Sequence, residues 1–193
     1  MKKLIFATGN ENKMKEIRMI LADCGYEILS MKEAGIQADI VEDGKTFEEN
    51  AIIKAEAIRK MTNCLVLADD SGLEVDYLDK APGIYSARFM GEDTSYRIKN
   101  KAIIDKLAGV PDEKRTARFV CAIAAAFPDG KTITRRARSK ESLDTKNAAR
   151  MDLAMILFSS CRSMVSPQQS CHRKKRIRSA QRKRTSFDKG SYK

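Results

Sequence analysis

The chain has no tryptophan, one histidine and four prolines in 193 residues. With only His172 available, and no CxxC pair among Cys24, Cys64, Cys121, Cys161 and Cys171, the residue set for a structural zinc site is missing. The cysteines therefore read as free thiols. No apolar run approaches the roughly 20 residues a helix needs to cross a bilayer. Met1-Lys2-Lys3 leads into a short strand-like run and not into a signal-peptide core. One cytoplasmic domain is the expectation.

Positive charge is abundant, at a net +11, but it is unevenly placed. Residues 135–193 hold 17 Lys and Arg against four Asp and Glu, while the rest of the chain holds 20 against 22. The basic excess, which would otherwise point to a nucleic-acid partner, belongs to this tail alone. Serines and cysteines are scattered through basic runs such as Arg173-Lys174-Lys175-Arg176, with no helical or strand period. Two parts of different character result, residues 1–134 and residues 135–193.

The first part alternates strands and helices. An apolar run at residues 4–7 ends at Thr8-Gly9-Asn10, after which Met14, Ile17, Ile20, Leu21 and Cys24 recur at helical spacing until Gly25. Thr46 with Glu49 three residues on forms a capping box, and Phe47, Ala51, Ile52, Ala55 and Ile58 mark the buried side of the helix it opens. Residues 65–68 read as a strand, residues 95–107 as a helix ended by Gly109 and Pro111, and residues 117–126 as a strand. That strand turns at Pro128-Asp129-Gly130 into another at residues 132–134. The order predicts an α/β fold with a mixed sheet.

A strand that ends in Thr-Gly-Asn and feeds a helix gathers backbone N–H groups and the positive end of the helix dipole, where a phosphate is stabilised. Gly9 permits close approach, Thr8 and Asn10 offer short polar side chains, and Lys13 lies one turn into the helix. An ordinary strand-to-helix turn with a solvated lysine gives the same short pattern. Asp69 and Asp70 are expected at a strand end, where an α/β sheet exposes its functional edge. Adjacent carboxylates repel unless a divalent cation such as Mg2+ binds one or both, and Glu42 in the loop Glu42-Asp43-Gly44 is a further oxygen ligand. The carboxylate left free would orient or deprotonate a water attacking phosphorus. The competing reading is a turn in which these aspartates cap backbone N–H groups before Ser71-Gly72.

Four motifs in order resemble the Ham1-like (inosine/xanthosine triphosphate) pyrophosphatases. They are Thr8-Gly9-Asn10 with Lys13 and Glu16; Thr46-Phe47-Glu48-Glu49-Asn50-Ala51 with Lys54; Ala68-Asp69-Asp70-Ser71-Gly72-Leu73; and Ala81-Pro82-Gly83-Ile84-Tyr85-Ser86-Ala87-Arg88-Phe89. The resemblance implies an elongated two-lobed α/β fold with the nucleotide in a central cleft. It implies Mg2+-dependent hydrolysis of ITP, dITP and XTP to monophosphate and pyrophosphate, cleansing the nucleotide pool, by a homodimer. By the same resemblance Thr8, Gly9, Asn10, Glu11, Asn12, Lys13 and Lys54 hold the triphosphate, Ser71 contacts substrate, Glu42 and Asp70 serve the metal, and Asp70 is the base.

The resemblance covers residues 2–134. Members of the family continue with a segment like GFGYDP that closes over the base, and later one like SHR; neither follows Thr134. Residues 151–158 can be encoded ATG GAT TTG GCT ATG ATC CTA TTT, which read from the third base gives GFGYDPI. The same shift over residues 136–146 permits GTIEGIIGYEE, and a second change of register near Ala180 permits HRGK. The tail thus reads as out of register, a second lobe left incomplete and disordered beyond it. On that reading the chain is a weakened enzyme or an inactive nucleotide-binding remnant. Taken at face value, residues 173–184 are instead a basic arm for nucleic-acid phosphates. No aromatic residue interleaves with that run, which leaves single-strand stacking without support, and a run of like charge is more often simply solvated. Resequencing the source DNA across codons 130–185 is expected to find one inserted or deleted base near codon 135 and another near codon 180. An unbroken reading frame would overturn the out-of-register reading.

Overall fold

The computed structural model describes residues 2–142 together with Cys161, Met164 and Val165. Of the tail read as out of register and disordered, residues 135–193, only 135–142, Cys161, Met164 and Val165 are described; the rest of it, with the basic arm at 173–184, lies outside the described residues. Among the described residues five strands form one mixed sheet in the order β2-β1-β3-β4-β5. They are β1 Lys2–Phe6, β2 Tyr26–Ser30, β3 Leu65–Val75, β4 Thr116–Ala126 and β5 Thr132–Ser142. β1 is parallel to both β2 and β3, while β3, β4 and β5 run antiparallel in turn. The helices are α1 Glu11–Leu21, α2 Phe47–Met61 and α3 Tyr96–Lys106. Among the described residues no helix is long and apolar enough to cross a membrane.

Strand periodicity sorts the core into two layers. Leu4, Phe6, Leu65 and Leu67 face one side and pack under Met14, Ile17, Ile20 and Leu21 of α1. Ile5, Val66, Ala68, Ala122 and Ala124 face the other side, under Phe47, Ala51, Ala55 and Ile58 of α2. Alanines on both surfaces bring α2 close to β4, and each fully buried leucine or isoleucine contributes about 1.5–3 kcal/mol. Val75, Ile103, Leu107, Val110 and Ala117 form a separate cluster where α3 meets the far ends of β3 and β4.

Two strands depart from the sequence expectation. β3 does not stop at Ala68 but continues to Val75, because β4 pairs with it through Val75↔Ala117 after β1 has ended at Leu67. β5 does not stop at Thr134 but runs to Ser142 against β4. Among the described residues β5 is an edge strand, and its Arg135 and Arg138 are exposed there, where charge discourages further pairing. Arg136 reaches Glu74 at 3.0 Å and Glu48 at 3.3 Å. β2, with its half-buried pattern, was not foreseen from sequence.

The capping box at α2 is present in relayed form: Glu49 N–H donates to Thr46 Oγ1 at 3.1 Å, while the Glu49 carboxylate accepts from Lys45 N–H at 2.6 Å. After β2, Glu33 accepts from the Ser30 N–H and hydroxyl, both at 2.8 Å, and from Arg18. The Ser30 N–H first, then Arg18, hold the Glu33 carboxyl at about 2. A depressed carboxyl pKa adds stability above its unfolded value, lost as pH falls toward the folded one. Glu33→Gln is therefore expected to be less stable than the parent at pH 6, with the gap closing by about pH 2, in denaturant titrations run across that range.

Candidate active site

β3 sets the site. Past Leu67 it has lost β1 on one edge but keeps β4 on the other, so residues 69–71 border an open cleft while staying in a strand. The period of two then sends Asp69 and Asp70 to opposite faces. Asp69, buried, meets Lys13 from α1: Lys13 Nζ donates to Asp69 Oδ2 at 2.7 Å and lies 3.4 Å from Ser71 Oγ. Asp70 meets α2 instead, accepting from Asn50 Nδ2 at 3.0 Å and from Ser71 N–H at 2.9 Å. Mutual repulsion of adjacent carboxylates, expected from sequence, is therefore relieved by alternation and separate partners. The strand also replaces the expected strand end, as well as the competing turn.

Both helices arrive with ammonium groups. Lys54, one turn beyond Asn50 on α2, pairs with Glu42 at 2.9 Å. Burial alone would lower the Lys13 pKa, yet the Asp69 charge and hydrogen bond outweigh it and the pKa ends raised. Burial pushes the Asp70 carboxyl up, with Glu42 adding to it against the hydrogen bond from Asn50, the charge of Lys54 and the Ser71 N–H. Cys121, facing Ser71 across the sheet, has its thiol pushed well up by burial and then by Asp69, so it is held as an unreactive thiol.

A cavity of about 550 Å³ joins Asn10, Lys13, Glu42, Lys54, Asp69, Asp70 and Ser71 on one wall to Ser86, Phe89, Tyr96 and Lys99 on the other. A smaller one of about 330 Å³ adjoins it and is lined by Thr8, Gly9, Asn10, Lys13, Glu42, Lys54 and Asp69. Of the residues singled out in sequence, Thr8, Gly9, Asn10, Lys13, Glu42, Lys54, Asp70 and Ser71 are thus brought together. Glu11 lines a groove on the other side of the Thr8-Gly9 loop, and the side chain of Asn12 is exposed. The Asn12 and Lys13 N–H groups, expected to face an anion, donate to the Asn10 side chain at 2.9 and 3.2 Å.

Sequence reasoning gave no role to three contributors. Asn50 is 1% exposed beside the buried Phe47, Ala51 and Ala55, and a polar residue at that place in their pattern was the available signal. Ser86 accepts from Leu73 N–H at 2.9 Å and donates to Gly83 O at 2.6 Å, fastening the 81–89 loop to β3. Gly72 is required there, since a Cβ would fall 2.4 Å from Gly83 O and 2.5 Å from Ser86 Oγ. Lys99 is buried, and its ammonium donates to Ala87 O at 2.6 Å and sits 5.6 Å from the Tyr96 ring centre.

Ammonium groups facing a cleft beside a helix N-terminus suit a polyanion better than a neutral ligand, which places the chain among the phosphate-handling α/β proteins. Residues 4–147 match the Ham1 family model, and the chain belongs to the Ham1 family. It is 48% identical over 145 residues to a dITP/XTP pyrophosphatase of Clostridium perfringens, covering 72% of this chain and 71% of that one. It is 47% identical over 134 residues to the dITP/XTP pyrophosphatase of Bacillus subtilis, covering 69% and 68%. Among solved structures it is similar to the Ham1 protein of Staphylococcus aureus, with TM-score 0.67, 38% identity and coverage of 74% and 72%. A HAM1 protein from Coxiella burnetii gives TM-score 0.68 at 31% identity over 74% and 73%.

Removing the Lys13 ammonium leaves the Asp69 charge buried and unpaired. Lys13→Met is expected to cost about 3 kcal/mol in urea unfolding, at the low end for buried pairs because Lys13 keeps some exposure. Adding Asp69→Asn to it is expected to restore most of the loss.

Proposed function

We propose that the chain hydrolyses noncanonical purine nucleoside triphosphates, ITP, dITP and XTP, to the monophosphate and pyrophosphate. The supporting observation is Asp70. Of the three carboxylates lining the larger cavity, Glu42 and Asp69 are paired with ammonium groups, and Asp70 has none within salt-bridge distance among the described residues. Lys13 and Lys54, with the Thr8-Gly9-Asn10 turn, hold the triphosphate, and Ser71 contacts it. Asp70 orients and deprotonates a water. The bond that breaks joins the α-phosphorus to the departing pyrophosphate.

The donor set fits Mg2+. No group of three or more metal-ligating side chains exists among the described residues. Mg2+ is nevertheless commonly held by one or two carboxylates and completed by substrate phosphates and water, which Glu42 and Asp70 satisfy. When bound, Mg2+ offsets charge developing on the phosphates. On this reading Lys54 leaves Glu42 when cation or phosphate arrives, freeing both for their partners.

The protein acts in the cytoplasm as a homodimer, and exposed Tyr85, Met90, Tyr96 and Ile98 offer apolar area for a second copy to cover. We also assign the chemistry to the core that the sequence delimits at residues 1–134, with the basic residues after it taking no part. Selection of a 6-oxo purine rests on groups holding the base edge. Because no GFGYDP or SHR segment follows Thr134, turnover is weak, and the second reading is a remnant that binds nucleotide without hydrolysing it. Asp70→Asn decides between them. Mg2+-dependent pyrophosphate release from ITP is expected to fall at least ~100-fold while nucleotide binding persists. Equal release by parent and variant would remove Asp70 from the chemistry, and no release by the parent would favour the remnant.

A further inference from the structure

We infer that Asn50 is a positioning residue that sets the spacing of the Glu42 loop and Asp70, and through it the affinity for the divalent cation. The inference rests on the metal reading above and adds to it a residue that contacts neither cation nor substrate. Asn50 sits in the first half of α2, an interior position where asparagine is a poor helix former, and on a face that otherwise buries Phe47, Ala51, Ala55 and Ile58. A buried amide is costly unless both of its ends are paired.

Both ends are paired here. Asn50 Oδ1 accepts from Gly44 N–H at 2.9 Å, and Nδ2 donates to Asp70 Oδ2 at 3.0 Å. The orientation is forced, because a backbone N–H can only donate and an ionised carboxylate can only accept. One amide thus ties the loop that follows Glu42 to the strand that carries Asp70. Lys54, four residues on and on the same helix face, holds Glu42 itself at 2.9 Å. Residue 44 is glycine for the same reason: a Cβ there would lie 2.6 Å from Asn50 Oδ1 and 2.8 Å from Glu49 Cβ.

With Asn50 on Oδ2 and Ser71 N–H on Oδ1, Asp70 cannot rotate freely, and each oxygen keeps a lone-pair direction for cation or water. Leucine at position 50 has similar size and neither hydrogen bond. It would leave Gly44 N–H without its partner and Asp70 free to turn. Groups that orient a metal ligand without touching the metal are typically worth 10–100-fold in affinity.

The test is Mn2+ titration of the full chain, followed by the spin-resonance signal of free Mn2+, for the parent, Asn50→Leu, Gly44→Ala and Asp70→Asn, with thermal melting of each. Asn50→Leu is expected to bind Mn2+ about 10–100-fold more weakly while still folded, and Gly44→Ala to weaken it in the same direction. If Asn50→Leu melts earlier but, when folded, binds Mn2+ as tightly as the parent while Asp70→Asn does not, Asn50 is only structural and the inference falls alone. If Asp70→Asn also binds like the parent, the metal reading falls with it. Should Asn50→Leu fail to fold, Gly44→Ala decides: unchanged Mn2+ affinity overturns the inference and weakened affinity supports it.

Discussion

β3 runs from its last pairing with β1 at Leu67 on to Val75, and the site depends on that mismatch. While β1 is alongside, β3 is a core strand with Leu65, Val66 and Leu67 buried. Once β1 gives way to the Thr8-Gly9-Asn10 turn, the same strand carries polar residues that β4 alone holds in register. A loop at this point would leave two aspartates free to swing. A strand fixes their directions, one toward each helix layer, so each carboxylate acquires a different partner and a different electrostatic setting.

From that alternation the rest follows. The Asp69 side draws in Lys13 and locks α1 against the sheet through a buried ion pair, whose loss would leave a charge stranded. Among the described residues the Asp70 side draws in no ammonium partner, only hydrogen bonds from the Asn50 amide and the Ser71 N–H. Lys54 pairs with Glu42 across the same cleft, so the ammonium groups of Lys13 and Lys54 both line one cavity. Burial opposes the ionised form of Asp70, a cost that the Asn50 and Ser71 hydrogen bonds offset in part.

Much of this was legible as local pattern. The apolar spacing of Met14, Ile17, Ile20 and Leu21, and of Phe47, Ala51, Ala55 and Ile58, marks the buried faces of α1 and α2, as the structure has them. The capping signal at Thr46 and Glu49 was visible, although Glu49 reaches Lys45 instead of closing on Thr46 itself. β2 was missed because its half-buried residues show little alternation, and the extensions of β3 and β5 were missed because they exist through pairing with β4. Asn50 was legible only as an oddity, a polar residue on an apolar stripe, whose meaning required knowing that Gly44 and Asp70 approach it from elements distant in sequence.

By itself the sequence determined the alternation of strands and helices, the short motifs that gather lysine, serine and carboxylate side chains, and the family, because hydrophobic period, capping and motif order are local properties of the chain. Only the tertiary structure decided that Asp69 is committed to Lys13 while Asp70 is left without an ammonium partner among the described residues, and that Glu11 and Asn12 turn away from the cavity while Asn50 links its loop to its strand. The physical reason is that an electrostatic role depends on distance and burial between residues far apart in sequence, which sheet register and helix packing fix and local spacing does not.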